Sequence, residues 1–86
     1  NNKKNYLMPI FTIPHSKGAI SSFPINLSNI LYFSRGNRII SKNISGTVTK
    51  TNYFTIEFAF LNNKEIYWYF EKEADREEEF SRLLSL

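Results

Sequence analysis

His15 is the only histidine of the 86 residues, Ser16 follows it, and every Asp and Glu lies at or beyond Glu57. A nucleophilic triad needs its imidazole oriented by a carboxylate, so the pair reads as a solvent-exposed loop rather than as a base with its nucleophile. Glu73 with Glu77, and Asp75 with Glu79, share helix faces at i, i+4, a spacing open to a general acid/base pair or a hard cation. The run lacks the glycine and the alternate-position ligands of a calcium loop, and it reads as a solvated face. With no cysteine and one histidine there is no transition-metal cluster to assemble. Gly18, Gly36 and Gly46 form neither a P-loop nor a dinucleotide fingerprint. These residues argue against an enzyme and imply no cofactor and no metal.

Charge and aromatic content point to binding instead. The net charge of +3 conceals a polarised chain: residues 1–56 hold Lys3, Lys4, Lys17, Arg35, Arg38, Lys42 and Lys50 without a carboxylate. Residues 57–86 set Lys64, Lys72, Arg76 and Arg82 against all eight acids. Cations that neutralise phosphates beside exposed rings that stack on bases suit single-stranded DNA or RNA. The residues expected to serve that role are Arg35, Arg38, Lys42 and Lys50 for phosphates and Tyr53, Tyr67 and Tyr69 for bases. The competing reading is a protein-interaction or self-association domain working through a sheet edge or the tyrosine face, since tyrosine is also enriched at interfaces.

The elements that must position these residues follow from periodicity. Tyr6 to Ile13, bounded by Pro14, reads as an edge strand because Pro9 has no donor. His15 to Pro24 reads as a surface loop. A turn or bulge at Ser28-Asn29 precedes a strand from Ile30 to Ser34, Arg35-Gly36-Asn37-Arg38 reads as a tight turn, and a strand from Arg38 to Thr49, interrupted around Lys42-Asn43 or bulged at Gly46, is turned back by Lys50-Thr51-Asn52. The clearest alternation sets Phe54, Ile56, Phe58 and Phe60 against Tyr53, Thr55, Glu57 and Ala59; after a turn at Asn62-Asn63, Ile66, Trp68 and Phe70 alternate with Tyr67, Tyr69 and Glu71. Phe58 and Trp68 are expected to be deeply buried. The period then changes, and residues 73–85 read as a helix that lays Phe80, Leu83 and Leu84 on the apolar sheet face, its acids early and Arg82 late as the macrodipole favours.

The expected architecture is α+β: a curved antiparallel β-meander of four to five strands packed on one C-terminal α-helix, with residues 1–86 forming a single small domain whose first five residues are flexible. In its final strand and helix the layout resembles pleckstrin-homology-like domains. In its sheet-plus-helix plan it resembles the Whirly and Pur single-strand-binding platforms, and both are resemblances of layout alone. Apolar runs are too short for a membrane helix, and Pro9 and Pro14 interrupt the start too early for a signal peptide, so no membrane span is expected and the cytoplasm is favoured.

Overall fold

A computed structural model of the chain describes residues 11–86 apart from 17 and 22. Its elements are β1 (Phe11–Thr12), β2 (Ala19–Ser21), β3 (Ile25–Asn26), a 3-10 turn (Leu27–Asn29), β4 (Ile30–Ile44), β5 (Thr47–Phe60), β6 (Glu65–Phe70) and α1 (Glu73–Leu84). The architecture is the expected α+β one: an antiparallel sheet in the order β2, β6, β5, β4 carries α1 against β5 and β6, while β1 pairs with β3 in a separate two-stranded sheet. Tyr6 to Ile10 of the expected first strand lie outside the described residues. Among the described residues no helix is long and apolar enough to cross a membrane.

The largest departure from expectation is one hairpin. Arg35-Gly36-Asn37-Arg38 and Lys50-Thr51-Asn52 are not turns but the middles of β4 and β5, which pair without interruption from Tyr32 opposite Ala59 to Ile44 opposite Thr47. The turn is Ser45-Gly46, both at positive φ (52° and 85°), the two-residue connection whose twist matches its strands. Gly36 serves a different purpose. The Glu57 carboxylate lies in the space a β-carbon would fill there, so glycine admits a cross-strand side chain over the backbone. The supposed loop from His15 to Pro24 contains β2, which pairs with β6 and supplies the second edge of the sheet. The turn at Asn62-Asn63 is as expected, with Asn63 at φ 65°.

Alternation in β5 and β6 delivers the core. Ile56, Phe58, Trp68 and Phe70 are fully buried beneath α1, with Phe54, Phe60 and Ile66 packed around them. Phe58 and Trp68 meet edge to face at 4.8 Å between centroids, and Phe33 of β4 packs at 5.2 Å from Phe80. The indole N–H of Trp68 donates to the Phe23 carbonyl at 2.8 Å, so a fully buried ring keeps its polar atom satisfied. Ile25, also fully buried, closes the core from β3.

The helix meets the sheet through Arg76, Glu79, Phe80 and Leu83. Leu84, expected on this stripe, is 66% exposed, because it stands about 100° around the helix from Leu83 on the far side from Arg76 and Glu79. The acidic run is correspondingly more than a solvated face. Arg76, 4% exposed, donates through Nη1 to the carbonyls of Gly36 (2.9 Å) and Thr55 (3.3 Å) and through Nε to Glu77 (2.6 Å). Glu79, 1% exposed, accepts from the Ser16 backbone N–H at 2.8 Å and from Arg82, whose other nitrogens hold Thr12 and the Ile13 carbonyl. One cluster ties α1 to the β4–β5 ladder and the other ties the segment around residues 12–16 to α1.

Candidate nucleic-acid interface

Pairing decides which expected binding residues share a surface. Arg38 stands opposite Tyr53, Lys42 opposite Thr49, Thr55 opposite Tyr69, and Glu57 opposite Tyr67. Strand alternation therefore places Arg38, Lys42, Tyr53, Tyr67 and Tyr69 together on the face away from α1. Arg35 stands opposite Ile56 and Lys50 opposite Ser41, so both belong to the helix side. The set of seven divides into five and two.

Arg35 is moreover occupied. Its Nε donates to both carboxylate oxygens of Glu77 at 2.9 Å, and its guanidinium lies 4.0 Å from the centroid of Phe80. Desolvation pushes the Glu77 carboxyl up, but the hydrogen bonds from Arg35 and Arg76 outweigh it and hold the group below the ordinary carboxylate value. Arg35 is thus a fastener for α1.

On the tyrosine face the rings form a connected row. Tyr53 and Tyr69 meet edge to face at 5.9 Å, and Tyr69 and Tyr67 lie 6.2 Å apart. Arg38 sits 4.5 Å above the Tyr67 ring. The two ends of the row differ in charge. The Tyr67 hydroxyl donates to Glu65 at 2.8 Å, a bond that, with some desolvation and the nearby carboxylate charge, raises the phenol above its ordinary pKa; Glu57 stands on the same side. At the other end Tyr53 and Tyr69 border a shallow pocket of about 220 Å³, completed by Ile20, Ile40 and the ammonium-bearing Lys42. Its walls are apolar and aromatic and its charge is positive, dimensions and chemistry open to a flat ring with an attached anion.

Ile20 and Ile40 were not foreseen as site residues. Ile20 belongs to β2, hidden in a stretch composed like a loop, and Ile40 gains its position only once β4 is known to run past Arg38. Lys3 and Lys4 lie outside the described residues. His15 is exposed, while Ser16 turns its hydroxyl to the Gly18 N–H and its own N–H to Glu79. Among the described residues no group of three or more His, Cys, Asp or Glu side chains is placed to hold a metal ion. No protein-family model matches the chain, and neither a curated protein nor a solved structure matches it significantly.

Proposed function

We propose that the protein is a non-catalytic binding module that takes single-stranded nucleic acid, with little sequence preference, on the sheet face away from α1. The observation that carries this reading is the pocket between Tyr53 and Tyr69 with Lys42 at its margin, continuous with Arg38 on the same face. Aromatic side chains accept any base, and the adjacent cations would neutralise the phosphates on either side. The strand enters at the Lys42 end, because Glu57 and Glu65 flank Tyr67 and repel a polyanion there. Tyr67 then serves to hold Arg38 and support Tyr69 rather than to stack on a base.

The protein-interaction alternative would use the outer edge of β4, which has no strand partner among the described residues. That edge carries Arg38 and Lys42, and cations along an edge oppose a second basic strand laid beside it.

Fluorescence anisotropy with labelled single- and double-stranded oligomers at two salt concentrations tests the proposal. Two phosphate contacts on a single strand give a slope of log K against log salt of about −1.4, at about 0.7 per contact. Tyr53→Ala and Tyr69→Ala should each weaken binding about 5- to 150-fold, the equivalent of about 1–3 kcal/mol per stacked base. Lys50→Ala should leave binding unchanged. No binding at low salt, or equal losses from Lys42→Ala and Lys50→Ala, would refute it.

A further inference from the structure

The sheet is longer than the helix that covers it. The described chain extends 61 Å along its long axis against 27 and 18 Å, and the excess is the distal β4–β5 hairpin, residues 39–52, a ribbon about 20 Å long. Every residue from 41 to 50 is exposed. Its helix-side face carries Ile39 (67% exposed), Ser41, Asn43, Val48 (59% exposed), Lys50 and Asn52, with no carboxylate. Nothing among the described residues of the same chain packs there, so the described residues form two layers over the body and one layer over the arm.

The complementary surface is on the same side of the same chain. The outer side of α1 exposes Glu73, Ala74, Glu78, Ser81 and Leu84; its two arginines are turned inward onto Glu77, Glu79 and the backbone, and Arg76 also reaches Glu73 at 3.5 Å. It is acidic and small-surfaced, with one exposed leucine. A helix of 12 residues is about 18 Å long, close to the length of the uncovered ribbon.

We propose that the helix-side face of the arm docks on the outer face of α1 of a second copy, reciprocally, so that two chains interlock about a two-fold axis. Each helix fills the missing second layer under its neighbour's arm. Lys50 faces a surface that carries Glu78, which has no ion-pair partner among the described residues, beside Glu73 with its Arg76 partner, and Ile39 and Val48 are covered together with Leu84. The exchange is isologous and closes at two chains. Four patches of roughly 20 by 10 Å bury about 800 Å² in total, the size of a weak, reversible association. The tyrosine faces remain outward on both copies, so the dimer is independent of what those faces bind.

Sedimentation velocity from roughly 1 to 500 µM chain should show a monomer–dimer equilibrium, salt-sensitive as a basic arm on an acidic helix requires. Ile39→Asp with Val48→Asp, both at exposed positions, should weaken dimerisation at least tenfold while the circular dichroism spectrum and melting temperature are retained. The absence of cysteine allows a direct contact test. Ser41→Cys marks the arm and Ser81→Cys the helix, and a short bis-maleimide added to a mixture of the two should join Ser41→Cys chains to Ser81→Cys chains. A monomer at every concentration, a dimer indifferent to the two aspartates, or crosslinks confined to Ser41→Cys with itself, as edge-to-edge pairing of β4 would produce, would overturn the proposal.

Discussion

Replacing Arg76 by methionine isolates the contribution of one buried guanidinium. The straight apolar side chain preserves most of the volume, so the cavity penalty is small and the loss is polar. Two well-formed bonds disappear, Nη1 to the Gly36 carbonyl at 2.9 Å and Nε to Glu77 at 2.6 Å, and a longer one to the Thr55 carbonyl goes with them. Charged hydrogen bonds contribute about 1.5 kcal/mol or more each, so the two that Arg76 makes to the Gly36 and Thr55 carbonyls put the expected loss near about 3 kcal/mol. Glu77 is not stranded, because it is partly exposed and keeps Arg35, so the cost stays at the lower end of the range for breaking a buried pair. For a domain of this size about 3 kcal/mol corresponds to a fall in melting temperature of roughly 12–24 °C. Arg35→Met supplies the control, with a smaller expected loss: its pair with Glu77 is half-exposed and screened, and its contact with the Phe80 ring adds about 0.5–1 kcal/mol at such an exposed site. Thermal melts and urea titrations of the parent and both variants measure the difference. Equal stabilities for Arg76→Met and the parent, or equal losses from the two arginines, would refute the argument that Arg76 fastens the helix to the β4–β5 ladder.

Phe58→Ala and Trp68→Ala should each cost about 3–5 kcal/mol, read by thermal melts, and the Trp68 variant should also loosen the link between β2 and β3 around Phe23 in hydrogen exchange. Gly36→Ala should destabilise by about 1–3 kcal/mol, because its methyl meets the Glu57 carboxylate and the Thr55 hydroxyl, and Glu57→Ala should restore part of that loss in a double-mutant cycle. The Glu77 carboxyl, held below its ordinary pKa in the folded chain, contributes stability that is complete above the unfolded value near 4.5 and is lost as pH falls through the lower folded value; Glu77→Gln should flatten that part of the acid unfolding curve. Glu79→Ala should release the segment around residues 12–16 and raise its protease sensitivity, while β4, β5 and β6 remain protected from exchange.

Periodicity alone was enough for the centre of the molecule. In β5 and β6 the phase of Phe54 to Phe60 and of Ile66 to Phe70 could be read residue by residue, because a half-buried strand imposes a strict period of two on side-chain polarity. The change to helical period after Phe70 was equally legible, as was the choice of tyrosines for the opposite face. The distal hairpin was not. Strand could be read from Arg38 to Thr49, but its reversal at Ser45-Gly46 could not: an exposed ribbon buries neither face, so residues 39–52 carry no polarity pattern to fix where the chain turns, and Gly36 and Asn37 supplied turn chemistry where it runs straight. Glycine marks a bend or a close approach with the same letter, and only the carboxylate of Glu57 lying over it tells the two apart. That error propagated to the site. A strand in place of a turn fixes the side on which each cation lies, which sends Arg35 to the helix, Lys50 to the back of the arm, and leaves Arg38 and Lys42 with the tyrosines. Composition determines how many charges a chain owns; register, set by pairing between residues far apart in sequence, determines which of them act together.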